Sequence, residues 1–494
     1  MNSLLSRESA LGDRRWFVLA LVVAAQFMVV LDIAIVNVAL PSIRTDLHFS
    51  QESLQWVVTA YAILFGGVLL LGGRLSDLLG RRRLFVTGVA LFAVSSLLAG
   101  LSWSEGSLIT FRALQGLGGA LLWPAALSIL TTVFREGRER NIALGVWGAA
   151  SGSGGAAGVL LGGALTTYLN WSWIFFINVP VAAAIIGLTP FLLRESRAET
   201  GHRHFDFAGA ATVTSSLMLL VYAMTRATER GWSEGVTVAA LALSAALAVS
   251  FVVVELRSKA PLLPLRIFRL RTLSAANGTA VLLSSAVFSQ FFLLTLYMQE
   301  VLHYSAIKTG VAYVSLTVSI VAFSAVAQGL TTRFGARRIL PAGLLLSAAG
   351  LVLYARLPVH GHYFWDVFPA FLLSGIGLAL AFVPVQIASL TGVQPAEAGA
   401  ASGLINTSQQ VGGAVGLAAA TTIATTFTAR YVDSHAGVTA FTGSALTHGF
   451  GIAFYVLAAL AALGAVVAAV FVESQPAAPQ ADAVEGEVVL EAAA

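Results

Sequence analysis

The sequence predicts an all-α polytopic membrane protein with 14 transmembrane helices: two pseudo-symmetric six-helix bundles with two helices inserted between them. Three observations carry this expectation. The 494-residue chain is 57% hydrophobic and only 11% charged, with a mean hydropathy of +0.84, whereas a soluble domain is about 25% charged. Apolar runs of about twenty residues, the length that crosses a bilayer as a helix, recur from end to end. The basic residues are also segregated. With both termini on the cytoplasmic side, 21 Lys and Arg fall in inside segments, 6 fall outside, and Arg112 lies within a span. Basic short loops stay in the cytoplasm, so dropping one span would invert the later loops and spoil the split.

Taken in order, Met1 to Arg15 is a polar lead, and span 1 covers about Trp16–Leu40. The stretch Arg14-Arg15-Trp16-Phe17-Val18-Leu19 faintly resembles a twin-arginine export signal. The apolar run is too long for that, lacks a small-residue cleavage site and is followed by many more spans. Span 2 (about Leu54–Gly72) and span 3 (about Leu84–Ser102) flank the charged stretch Gly73–Arg83, which carries four arginines and Asp77. Spans 4 to 6 are about Leu108–Leu130, Ile142–Tyr168 and Ile174–Leu193, completing a first half over residues 1–193. Residues 194–272 hold a polar loop, two inserted spans (about Phe207–Thr225 and Val236–Leu256) and a basic segment from Arg257 to Arg271. The inserted spans are expected to carry no buried charge and to be structural. Spans 9 to 14 are about Leu273–Val301, Thr309–Leu330, Ile339–Ala355, Val367–Ile387, Ala400–Thr426 and Thr447–Val472, a second half over residues 273–472. Residues 473–494 are acidic and rich in Ala and Pro, which predicts a disordered cytoplasmic tail.

An internal repeat relates the halves. Leu114-Gln115-Gly116-Leu117-Gly118 and Pro124 in span 4 match Leu373-Ser374-Gly375-Ile376-Gly377 and Pro384 in span 12. Gly80-Arg81-Arg82-Arg83 is echoed by Gly335-Ala336-Arg337-Arg338, with Thr332 where Asp77 stands. Duplicated halves point to a transporter whose site lies at the midplane between them. Other classes find no support. The chain has no cysteine, hence no disulfide or thiol chemistry. It shows no catalytic constellation and no nucleotide-binding glycine-lysine motif, and its net charge of +4 does not argue for nucleic-acid binding. His202 and His204 form a His-x-His in a loop, with only Asp206 as a third metal-ligand candidate, and are read as solvated. No metal and no cofactor is expected.

An ionisable group inside a span is costly and is a functional hypothesis by default. Asp32 in span 1 and Arg112 in span 4 are the two convincing cases, and the predicted topology places both toward the outer side. Burial favours the protonated form of a carboxyl group, and a nearby arginine favours the ionised form. A carboxylate so placed can take up and release a proton; the alternative is a structural pair that locks two helices. In the second half Phe371 stands where the repeat would place Arg112. Around Asp77, the stretch with Gly73, Gly80 and Arg81 reads either as a latch, with Asp77 paired to one of the arginines or to a helix N-terminus, or as a plain topology determinant, its two glycines allowing tight turns at the helix ends. Gly154, Gly158 and Gly162 in span 5 recur every four residues, so another helix can approach closely; this stripe reads as a pliable contact between the halves, or as simple close packing. Asn37, Gln115, Asn406, Gln409 and Gln410 are candidates to line a polar cavity.

These pieces together resemble the major facilitator superfamily, specifically its fourteen-helix drug:proton antiporter family, over nearly the whole chain. Gly73–Arg83 is similar to the superfamily's signature loop between spans 2 and 3, which implies that Asp77 and Arg81 form a charge relay at the cytoplasmic gate. Leu31-Asp32 through Asn37-Val38-Ala39-Leu40-Pro41 resembles the family's span 1 motif, and the resemblance implies proton coupling at Asp32. Arg112-Ala113-Leu114-Gln115-Gly116-Leu117-Gly118 resembles the span 4 motif whose arginine serves proton transfer. Trp171-Ser172-Trp173-Ile174-Phe175-Phe176-Ile177-Asn178-Val179-Pro180 is similar to the outer span 5–6 segment, with Ser172 where arginine is common. The glycine stripe resembles the antiporter motif, with Val159 in place of the proline expected after Gly158. The resemblance implies a proton-driven exporter of hydrophobic or cationic small molecules, in a bacterial cytoplasmic membrane, working by alternating access and as a monomer. The alternative is a proton symporter for uptake of a metabolite, which Val159 favours and the 14 spans and glycine stripe oppose.

Overall fold

The computed structural model describes residues 2–49, 51–134, 137–196, 206–258, 261–394, 397–435, 439–440 and 442–473. Its 14 long apolar helices match the expected spans. They are α1 (Asn2–Asp46), α2 (Trp56–Leu79), α3 (Arg81–Gly100), α4 (Glu105–Val133), α5 (Arg138–Tyr168), α6 (Trp173–Leu192), α7 (Phe207–Arg230), α8 (Gly235–Arg257), α9 (Arg271–Val301), α10 (Ala306–Phe334), α11 (Ala336–Ala355), α12 (Tyr363–Ser389), α13 (Ala398–Ser434) and α14 (Gly443–Phe471). No strand occurs among the described residues. The expected disordered tail beyond residue 473 and the His202–His204 pair lie outside the described residues.

Helix pairs approach closely where glycine removes the side chain, and the same device occurs in both halves. In the first half, a Cβ at Gly118 of α4 would stand 2.6 Å from the Phe92 amide nitrogen of α3, and one at Gly88 would stand 2.6 Å from that of Leu122. In the second half Gly377 of α12 meets the backbone of Ser347, and Gly343 of α11 meets that of Leu380 and Ala381. Without a hydrophobic drive between helices in lipid, such contacts are held by close van der Waals packing. Along the interface, α5 lies on α10 and α2 lies on α13.

The inserted pair is seated on both halves. Helix α7 packs on α2 and on α13, with Gly67 against Met218 and Gly66 against Val221. Beyond α7, Trp232 Nε1 donates to Thr422 Oγ1 of α13 at 2.7 Å. The α7–α8 turn is tied by Arg226, which donates to both oxygens of Glu234 at 2.9 and 2.6 Å. That bond holds the Glu234 carboxyl well below its usual range, at about 2. One expectation is corrected here. The inserted spans were expected to carry no buried charge, yet Glu255 of α8 is 4% exposed. The chain folds back over it after α8, and the Leu262 and Leu263 amides donate to its two oxygens at 3.1 and 3.3 Å.

Candidate functional site

Helices α1, α2, α3, α4 and α6 converge on Asp32. Its side chain is fully buried and that of Arg112 is 1% exposed. Arg112 Nη1 donates to Asp32 Oδ2 at 2.6 Å and to Gln115 Oε1 at 2.6 Å, while its Nε donates to the Val57 carbonyl at 3.1 Å. Gln115 Nε2 donates to Asp32 Oδ1 at 2.8 Å, and Asn178 Nδ2 donates to the same oxygen at 2.9 Å. Both amides also reach Ser96 Oγ at 3.1 Å, and that hydroxyl donates to the Phe175 carbonyl at 2.9 Å. The guanidinium lies 4.3 Å from the centre of the Tyr61 ring, a favourable place for a desolvated cation. Arg112 and Gln115 share a helix face because they are three residues apart. The carboxylate thus accepts three hydrogen bonds, two at Oδ1 and one at Oδ2. Taking up a proton turns one of its oxygens into a donor, so at least one of these bonds must be released.

The expected contact between Asp32 and Arg112 is therefore present, and Gln115 joins it. Asn178, Ser96 and Tyr61 were missed as members. Asn178 carried a legible signal, an amide in the otherwise apolar run before Pro180; Ser96 and Tyr61 carried none. Asn37 lies outside the cluster: it is exposed, and its amide donates to the Ile33 carbonyl one turn back. In α13, Asn406 Oδ1 and Gln409 Nε2 are buried without a partner, and Gln410 lies beside Gly66 of α2.

The second constellation joins the halves at the arginine-rich end. Asp77 is fully buried, and Arg81 Nη2 donates to its Oδ1 at 3.0 Å. The Gly399 amide donates to Oδ1 and the Ala400 amide to Oδ2, each at 3.2 Å. Those amides belong to the first turn of α13, where helical N–H groups lack internal partners and favour an anion. Asp77 thus ties α2 to the N-terminus of α13 across the interface. The reading of Gly73 as a turn residue is corrected. It lies inside α2, which runs on to Leu79, and a Cβ there would run into the Gly399 carbonyl. Gly80 alone breaks the helix, with a φ of +111° that glycine adopts freely. Arg140 Nη2 to the Leu390 carbonyl at 3.1 Å and Asn141 Nδ2 to Thr332 Oγ1 at 3.0 Å add further ties between the halves.

Of the two readings of the glycine stripe, a contact between the halves or simple close packing, the structure shows close packing. Gly154, Gly158 and Gly162 face α1 in the same half. A Cβ at Gly154 would stand 2.7 Å from Val30, at Gly158 2.7 Å from the Leu31 carbonyl, and at Gly162 3.0 Å from the Ile35 carbonyl. The stripe therefore seats the stretch of α1 that carries Asp32. The opposite face of α5 meets the other half, where a Cβ would stand 3.1 Å from Gln328 at Gly145, 3.3 Å from Val383 at Gly148 and 3.2 Å from Ile307 at Gly163. Spacing reveals that a face is smooth, and it does not say which neighbour lies on it.

Two duplicated bundles, a buried ion pair on one side of the interface and a carboxylate latch across one end define a multi-pass membrane carrier. The model of the Major Facilitator Superfamily matches residues 22–417, and the chain belongs to that superfamily. It is 40% identical to the puromycin resistance protein pur8 of Streptomyces alboniger over 94% of this chain and 92% of that one. It is 38% identical to the cephamycin export protein CmcT of Amycolatopsis lactamdurans over 86% of this chain and 89% of that one. Among solved structures, the human organic anion transporter MFSD10 (TETRAN) is similar with a TM-score of 0.64. It covers 92% of this chain and 99% of its own at 17% identity, a likeness of fold alone.

Proposed function

We propose that this protein is a proton-coupled antiporter that exports hydrophobic or cationic small molecules, antibiotics among them, from bacterial cells. The observation that carries the reading is the fully buried Asp32, held by Arg112, Gln115 and Asn178 in a fold shared with antibiotic resistance and export proteins. The reading places both termini and the Asp77 latch in the cytoplasm, which the bias of arginine toward that end supports. Asp32 binds a proton when the path to the outside is open. Opening inward and substrate binding return the proton to the cytoplasm and restore the Gln115 and Arg112 bonds to the carboxylate. The latch between Asp77 and α13 closes the inner path during the first of these states and parts in the second. A conformational cycle of this kind needs two arrangements that proton and substrate bind with different affinity. The buried, unpartnered amide atoms of Asn406 and Gln409 are proposed to meet substrate, since polar atoms left without a partner are costly. The proton gradient is the energy source, with no cofactor, and the working unit is proposed to be the monomer.

The test is accumulation of puromycin, a cephamycin and ethidium in efflux-deficient cells that express the chain. Lower accumulation of at least one compound, abolished when a protonophore collapses the gradient, supports antiport. Accumulation that rises above the control while the gradient is intact overturns it in favour of symport.

A further inference from the structure

The segments that join the inserted helix pair to the two halves each grip one side of the Asp77 latch. On one side, the segment leaving α6 places Glu195 over the start of α3. Glu195 accepts from the Arg82 and Arg83 amides at 3.2 Å each, and the Arg81 amide donates to the Ser196 carbonyl at 3.1 Å. That fixes the turn from which Arg81 reaches Asp77. On the other side, the segment leaving α8 is held by Glu255 through the Leu262 and Leu263 amides and by three buried side chains, Leu262, Leu263 and Ile267. From this anchored piece Arg266 reaches out. Its Nε and Nη2 donate to Glu397 Oε1 at 3.1 and 2.7 Å. Glu397 is the residue before α13, two positions from Gly399, whose amide binds Asp77. A run of contacts therefore leads from α8 through Glu255, Arg266 and Glu397 to Asp77, and on through Arg81 and Glu195 to α6.

We propose that the inserted pair is a brace on the latch, with Arg266 as a positioning residue that sets the N-terminus of α13 for Asp77. Helix α7 lies across α2 and α13, the two helices that the latch joins, so the pair cannot stay seated on both while they part. The brace thus biases the arginine-rich end toward closure. This inference rests on the alternating-access reading above. Arg266 is 67% exposed and the Glu397 side chain 12%. An ion pair of that exposure shifts an equilibrium by about two- to fivefold, enough to tune a gate and too little to hold the fold together.

The chain has no cysteine, so one thiol gives a clean report. Ser402 is fully buried, its hydroxyl has no partner, and its neighbour Gly403 packs on Leu69 and Leu70 of α2. In the full-length S402C protein in membrane vesicles, the rate of alkylation by a permeant maleimide measures opening of this end. Ser76, also fully buried, provides a second reporter as S76C if the first is poorly produced. Arg266→Ala is expected to raise the rate about two- to fivefold, Arg266→Lys to stay near the parent, and Glu397→Gln to match Arg266→Ala. The double variant should add nothing, because both changes break one contact. Unchanged labelling in Arg266→Ala, with labelling raised in Asp77→Asn, overturns the brace and leaves the latch standing. Unchanged labelling in Asp77→Asn as well overturns the latch and the brace with it.

Discussion

Arg112 in the first half and Phe371 in the second occupy the same place in the repeat, and their surroundings differ in kind. Arg112 is bound to a buried carboxylate. Phe371 is fully buried among Tyr313, Tyr354 and Tyr363, with ring centres 5.3, 5.9 and 6.5 Å away. Three residues on, Gln115 donates to Asp32, while its counterpart Ser374 donates to Gln290 Oε1 at 3.0 Å. Gln290 thus stands in α9 where Asp32 stands in α1, with an amide in place of the acid. Three further on again, Gly118 and Gly377 make the same backbone approach to the neighbouring helix. The packing of the bundle is repeated and its charge is not. Close helix contact is needed twice to build two bundles, whereas a buried ion pair brings a desolvation cost and occurs at this place in the first half alone.

Removing one charge should therefore have the largest effect, and only in the first half. Arg112→Ala leaves Asp32 buried without its counter-charge and is expected to lower stability by about 3–5 kcal/mol, read as a fall in the thermal midpoint of the purified protein. Adding Asp32→Asn to that variant should restore part of the loss, a recovery that simple cavity formation would not give. Next come the repeated glycines. Gly118→Ala and Gly377→Ala should each cost about 1–3 kcal/mol by overpacking and should resemble one another. A large cost in one half alone would break the idea that packing is shared. Gly158→Ala sharpens it further, because its new methyl presses on Leu31 beside Asp32. Its transport rate is expected to fall by more than that of Gly377→Ala at a similar loss of stability. The smallest effect should be Ser374→Ala, which gives up one neutral hydrogen bond of about 1 kcal/mol. It should keep the pH dependence of transport unchanged; a shifted pH profile would place proton handling in both halves.

Much of this was legible in the chain. Fourteen apolar runs and a lopsided arginine count are long-range regularities that no local accident imitates. Asp32 and Arg112 stood out because charges are rare in spans, and two rare groups at one depth invite pairing. Asp77 was legible as a latch on an arginine or a helix N-terminus, and it holds both; which helix it meets was not legible, since the Gly399 and Ala400 amides are backbone groups without a sequence signature. Glu255 was not singled out in the inserted pair, because its burial comes from the return of the chain over it. The glycine stripe announced a smooth face and left its neighbour open, because 3.6-residue periodicity orders faces within a helix and says nothing about which helix lies opposite.

The central claim is that Asp32 couples proton movement to substrate. In inside-out vesicles with an imposed pH gradient, uptake of a transported compound is compared between the parent and Asp32→Asn, which keeps the size of the side chain and removes its charge. The account predicts gradient-driven uptake in the parent and none in the variant, at equal protein in the membrane and with substrate still bound. Gradient-driven uptake that survives in Asp32→Asn would contradict it and leave Asp32 as a structural partner of Arg112.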